Sequence, residues 1–134
     1  RIRWLEFRRV LFRSGGGIPV YIDEQNRVRP SEAVIDKDLA SAMVANKIGA
    51  DELYILTDVP FVYLNYKKDN EIKLEKLTVA DAEKYMNDGM FGEGSMAPKI
   101  KACLNFVNNG GKMAVITEAT MLNDKSCGTH IVKN

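Results

Sequence analysis

Short apolar runs alternate along this chain with segments of helical periodicity, and that alternation narrows the choice of fold more than any other feature. Leu53–Leu56 and Met113–Ile116 are apolar runs bounded by charged or hydroxyl residues. Such runs read as strands buried in a parallel sheet. Further strand candidates are Ile18–Ile22 with Pro19 near its start, Glu32–Ile35, Val62–Leu64 and the closing Thr129–Val132. Three helical patterns lie among them. From Asp36 onward, Leu39, Ala42, Met43, Ala45 and Ile48 keep a helical spacing that Gly49 ends as a C-cap. Thr78 is an N-cap with Asp81 three residues on; Val79, Ala82 and Met86 share a face, and Gly89 stops the helix. Ile100, Cys103, Leu104 and Val107 follow i, i+3, i+4, i+7 in a helix over 98–107, and Asn108–Gly111 terminates it. Lys67–Lys73 reads as a polar, charged loop. Strands alternating with helices predict an α/β layered fold with a largely parallel sheet.

Composition removes several classes of function. At 134 residues the chain is one domain, or one half of a two-domain protein. No apolar run approaches the ~20 residues that span a bilayer. Two cysteines and one histidine exclude a disulfide scaffold and a four-cysteine zinc site. They leave little room for histidine-based chemistry. Cys103 lies on the apolar face of its helix and reads as core. Cys127 falls in a loop, and His130 alternates within the last strand in a structural role.

The net charge of +1 hides an asymmetry. Residues 1–14 hold five arginines and one acid, and the rest of the chain is net acidic. The body is therefore a poor nucleic-acid binder. The head fits neither helical nor strand spacing and runs straight into Gly15-Gly16-Gly17. A basic amphipathic segment or a transit peptide would share its composition. We read it as a scar in place of native upstream chain, with Val10–Phe12 available as an edge strand, and set it aside from functional reasoning.

Ligands of open α/β sheets bind outside the carboxyl ends of strands. Three polar loops are candidates for such positions: Ile35–Asp38, Thr57–Pro60 and Gly92–Lys99. In the third, Ser95 is an N-cap, Pro98 suits a first helical turn, and Gly94 permits close approach to the backbone. Free N–H groups, a positive helix end and Lys99 suit a phosphate. A capped helix with a solvated lysine would look the same. Asp36-Lys37-Asp38 opens the first helix, and its acids fit plain capping; Lys37 opposes the dipole and is easier to justify beside an anion. Gly15–Gly17 is either a flexible linker or a turn facing a phosphate. No GxxxxGK[ST] element and no GxGxxG before a helix occur.

Taken together, these segments resemble the C-terminal half of carbamate kinases, within the amino acid kinase family. The resemblance rests on GGGIPV (Gly15–Val20), EAVIDKDLASA (Glu32–Ala42), LYILTDV (Leu53–Val59), VYLNY (Val62–Tyr66), GEGSMAPKIKA (Gly92–Ala102), NGGKMAVIT (Asn109–Thr117) and GTHIV (Gly128–Val132). It covers residues 15–134. VIDKDLASA followed by GSMAPK at this separation favours carbamate over glutamate, aspartate or UMP as acceptor.

The resemblance implies a three-layer αβα sandwich, truncated here to its nucleotide-binding part. It implies phosphoryl transfer between ATP and carbamate, giving ADP and carbamoyl phosphate, with Mg²⁺ held through the phosphates and no metal site of the chain's own. In fermenting microbes the reverse direction yields ATP as the last step of arginine breakdown. By motif match, Lys37 and Lys99 contact the transferring phosphates and Asp38 holds the lysines in position. Thr57, Asp58 and the turn Gly94, Ser95, Met96 to Lys99 contact the nucleotide, and Gly15, Gly16 and Gly17 lie near the substrate cleft. The resemblance further implies a cytoplasmic enzyme, a homodimer at full length, carbamate and the missing N-terminal half as partners, and neither nucleic acid nor membrane. The pattern departs from the family at Pro60-Phe61, where related kinases often have Asp-Gly, and in lacking an upstream glycine-rich loop and a further lysine. The chain alone is thus expected to lack turnover. The alternatives are a non-catalytic nucleotide-binding or regulatory module of the same fold, and a kinase of the family with another carboxylate acceptor.

Overall fold

A computed structural model describes residues 18–92 and 94–134. The strands are β1 (Val20–Ile22), β2 (Val28–Pro30), β3 (Glu52–Thr57), β4 (Val62–Leu64), β5 (Ile72–Leu74), β6 (Lys76–Thr78), β7 (Met113–Glu118) and β8 (Thr129–Val132). The helices are α1 (Lys37–Lys47), α2 (Val79–Asn87) and α3 (Met96–Asn108). A four-stranded sheet has the order β3-β7-β8-β6, and β1-β2 and β4-β5 form separate hairpins. Within the sheet β3 pairs parallel with β7 and β6 parallel with β8, while β7 and β8 run antiparallel. The expected largely parallel sheet is there, with one antiparallel seam at its centre.

Period-two alternation decides which side chains enter the core. Leu53, Ile55, Ala114, Ile116, Ile131 and Leu77 project to one face and are buried against the helices. The helix α3 is central to that layer. It packs on α1, α2 and the sheet through Ile100, Cys103, Phe106 and Val107, each at most 1% exposed. Burying such side chains stabilises by roughly 1.5–3 kcal/mol each. Ala42 and Ala45 are the buried residues of α1, and their small side chains let α1 lie close to α3. On the other face Val115 and Thr117 are covered by the segment before β8, where a Cβ on Gly128 would stand 2.8 Å from Val115. Of the three layers expected, the described residues supply the sheet and one helical layer.

Local signals in the sequence account for the helix ends. Asp36 caps α1, accepting the N–H groups of Asp38 and Leu39 at 2.9 Å each. Gly49, at φ +66°, follows its last turn and lets Ala50 N–H return to the Ala45 carbonyl. Thr78 caps α2 through the Asp81 N–H.

Three expectations need correction. Glu32–Ile35 is irregular rather than extended; Val28–Pro30 forms the second strand instead, paired antiparallel with β1. Asp23 makes that pairing possible, because its carboxylate accepts from the backbone of Gln25 and Arg27 and from both arginines, Arg27 and Arg29. Leu53–Leu56 is buried on one face only, since β3 is an edge strand and Leu56 is half-exposed. The loop from Lys67 is shorter than expected, as Ile72 and Lys73 lie in β5. The head, Val10–Phe12 and Gly15–Gly17 lie outside the described residues. Among the described residues no helix is long and apolar enough to cross a membrane.

Candidate functional site

Connectivity gathers the candidate residues at one end of the sheet. The helix α1 leads directly into β3, and α3 directly into β7. Those two strands are parallel and finish together, Thr57 opposite Glu118. The two helices also run parallel, since Asp38 meets Lys99 at their starts and Asn46 meets Asn105 nearer their ends. Both helix N-termini therefore stand at the carboxyl ends of β3 and β7. The result brings Asp36-Lys37-Asp38, Thr57-Asp58 and Gly94–Lys99 to the same end, the position where α/β sheets bind ligands.

The strongest contact there is between Lys99 and Asp38. Nζ donates to Oδ2 at 2.8 Å, with the side chains only 15% and 13% exposed. Lys99 stands in the first turn of α3 and Asp38 in the first turn of α1, so the pair ties the two helix starts together. One turn deeper, Cys103 is fully buried. Burial pushes its thiol well above the usual range; the Asp38 charge adds to the rise and the Lys99 charge opposes it. Lys37 begins α1 and is exposed. Its backbone carbonyl accepts from Ser41 Oγ at 2.6 Å.

The start of α3 differs from the simple cap expected. Ser95 occupies the N-cap position but its side chain caps nothing. The N–H groups of Ser95, Met96 and Ala97 converge instead on the Gly92 carbonyl, at 3.3, 3.1 and 3.1 Å. A carbonyl oxygen, a partial negative charge, thus takes the donors that sequence reasoning left free. Gly94 has open space on its Cβ side.

At the end of β3, Thr57 Oγ1 donates to Asp58 Oδ1 at 3.0 Å. The chain then turns through Pro60-Phe61 into the β4-β5 hairpin, where Tyr63 and Tyr66 pack at 5.7 Å between ring centroids. A hollow of about 430 Å³ opens beside the helix starts, lined among others by Asp36, Leu39, Met86, Phe91, Pro98 and Lys101. Sequence reasoning missed Lys101, which nothing distinguishes from ordinary surface charge. It also missed Thr129, whose hydroxyl faces the hairpin; its only signal is a hydroxyl residue on the same strand face as the apolar Ile131. Among the described residues no group of three or more His, Cys, Asp or Glu side chains stands ready to hold a metal ion.

Comparison with known proteins bears on what this arrangement is for. Residues 8–118 match the family model of the amino acid kinase family. The carbamate kinase of Trichomonas vaginalis is 52% identical over 109 residues, covering 81% of this chain and 35% of that protein. The carbamate kinase of Oenococcus oeni is 48% identical over 122 residues, covering 89% of this chain and 39% of that protein. Among solved structures, a carbamate kinase from Giardia lamblia bound to AMP-PNP superimposes with a TM-score of 0.85 at 41% identity, over 90% of this chain and 43% of that one. The chain thus spans less than half the length of each.

Proposed function

The chain belongs to the amino acid kinase family, and we propose from this that it is the nucleotide-binding part of a carbamate kinase. The reaction is reversible phosphoryl transfer between ATP and carbamate, giving ADP and carbamoyl phosphate. A carbamate oxygen bonds to the γ-phosphorus while the bond from that phosphorus to the ADP leaving oxygen breaks. Carbamate is already an anion, so no base is required. The difficulty is bringing an anion to a polyanion, and catalysis of this kind rests on position and charge neutralisation.

The carrying observation is the Lys99–Asp38 pair at the common end of two helices and two strands. In this reading Lys99 and Lys37 take the transferring phosphates. Asp38 is a positioning residue that keeps the Lys99 ammonium extended. Thr57, Asp58, Gly94, Ser95 and Met96 border the nucleotide, which must compete with the Gly92 carbonyl for the first N–H groups of α3. The motif match also assigns Gly15, Gly16 and Gly17, which lie outside the described residues, to the substrate cleft. The AMP-PNP held by the Giardia lamblia relative supports a nucleotide here. Mg²⁺ held through the nucleotide's phosphates would offset their charge; Asp38, the nearest carboxylate to Lys99, is already engaged. In this reading the N-terminal half supplies most of the carbamate site. The reading also takes in a cytoplasmic enzyme and a homodimer at full length.

Calorimetric titration of ADP into this chain and into Lys99→Ala tests the site. Binding weakened at least about tenfold by the substitution is expected; unchanged binding overturns the assignment. Restoring the upstream half and assaying ATP formation from ADP with carbamoyl phosphate or acetyl phosphate tests the acceptor. Preference for carbamoyl phosphate is expected, with no turnover by this chain alone.

A further inference from the structure

One buried hydroxyl links the last strand to the turn that carries Asp58. Thr129 in β8 is fully buried. Its Oγ1 accepts the Val62 N–H at 2.8 Å and donates to the Leu74 carbonyl. Val62 and Leu74 are cross-strand partners at the open end of the β4-β5 hairpin. That one side chain bonds both strands of the hairpin; β5 is also held to the sheet through Glu75, whose carbonyl accepts the His130 N–H, whereas β4 is fastened at Val62 by the hydroxyl. The turn before Val62 is held at both ends as a result. Thr57 is fixed by the β3-β7 ladder, opposite Glu118, and Val62 is fixed to β8. Because β7 lies between β3 and β8, residues 58–61 must cross over the carboxyl end of β7, beside the starts of α1 and α3.

Gly128 is what allows this approach. It sits at φ +101°, and a Cβ there would lie 2.8 Å from Val115 Cγ1, 2.9 Å from Thr117 Cβ and 3.0 Å from the Ile116 carbonyl. Without a side chain, β8 enters flush against β7 and carries Thr129 under the hairpin. Volume alone would be met equally by valine. Threonine brings a hydroxyl that must be satisfied when buried, and both of its bonds go to the hairpin backbone.

We propose that Thr129 is a positioning residue for the nucleotide site: its hydroxyl fixes Val62, and through Val62 the turn presenting Asp58 across the end of β7. It acts through backbone alone and touches no substrate. The inference rests on the reading of this end of the sheet as the nucleotide site.

Thr129→Val removes the hydroxyl at nearly constant shape, Thr129→Ser keeps it, and Ile131→Val lightens the core in the same strand without touching the hairpin. ADP affinity, tryptic cleavage at Lys67 and Lys68 in the hairpin loop, and the thermal midpoint are measured for each. Thr129→Val should weaken ADP binding about fivefold and speed hairpin cleavage, with Thr129→Ser close to wild type in both. Ile131→Val should lower the midpoint alone. Wild-type affinity in Thr129→Val, or equal effects from Ile131→Val, overturns the proposal. Amide exchange at Val62 in the unmutated chain gives a readout independent of how the variants fold: ADP should slow it, and an unchanged rate counts against the proposal. Lys99→Ala in the same series separates the two ideas. If it binds ADP normally, the site itself is misassigned; if it alone weakens binding, only the role of Thr129 fails.

Discussion

The Lys99 ammonium donates to an Asp38 carboxylate oxygen across 2.8 Å, although 61 residues separate the two in sequence. The contact joins the opening turns of α1 and α3 and keeps a cation at the carboxyl ends of β3 and β7. Under the proposed function, the carboxylate beside Lys99 serves as a tether that keeps the lysine side chain extended toward the phosphates.

Breaking that tether should cost stability. Asp38→Asn leaves a largely buried ammonium without its counter-charge and should destabilise the chain by about 1–3 kcal/mol. Lys99→Met should cost a similar amount. If the residues act as a pair, the double variant falls short of the summed single costs by about 1–2 kcal/mol. Urea unfolding of the four proteins measures this, and strictly additive costs would show the pair to be uncoupled.

Asp36 satisfies two N–H groups of α1 with one carboxylate oxygen. Asp36→Ala should therefore lower stability by about 1 kcal/mol, and Asp36→Asn, itself a good cap, by less. The order of the two melting midpoints checks the assignment.

Two glycines with similar backbone angles should respond differently to alanine. Gly110 has φ +109° but open space around its missing side chain; Gly128 has φ +101° and a crowded one. Gly110→Ala should cost only the backbone strain, about 1 kcal/mol. Gly128→Ala adds a clash with Val115 and Thr117 and should cost about 2–4 kcal/mol. Equal losses in denaturant melts would contradict the packing described at the start of β8.

Cys103 gives the chain a dependence on alkaline pH. Burial, reinforced by the charge of Asp38, raises its folded-state thiol above the ordinary value of 9.0. Above that pH the unfolded chain releases the proton while the folded chain keeps it. Stability is thus fully present below about pH 9 and falls as the pH rises further. Cys103→Ala should start less stable and show a flatter curve between pH 9 and 10.5. In the unmutated chain the thiol should resist aromatic disulfide reagents until the protein unfolds.

The helix ends were legible because local chemistry states them. Asp36, Thr78 and Gly49 mark helix ends through caps that need only neighbouring residues. Three of the four strands of the sheet, β3, β7 and β8, were legible from their apolar runs, and β6 was not; the gathering of Lys37, Asp38, Thr57, Asp58 and Lys99 at one end was legible once β3 and β7 were taken as parallel. What escaped is what depends on which of several partners a group takes, near or distant. That Leu56 faces outward follows from the edge position of β3, which no local pattern encodes. The β1-β2 register depends on Asp23 gathering Arg27 and Arg29. The donors at the start of α3 turn to a carbonyl several residues back, and Thr129 finds its partners 67 and 55 residues away.

The β3-β7 pairing also governs the order in which the molecule can assemble. Glu52 must wait for Met113, its register partner, and 61 residues have to be synthesised in between. At roughly 5–20 residues per second that takes about 3 to 12 seconds. During that interval Leu53–Leu56 is an apolar strand with no ladder on either side, the state in which nascent chains are most prone to stick to one another. Caps and hairpins can close early because their partners are near; the sheet can form only when the last third of the chain arrives.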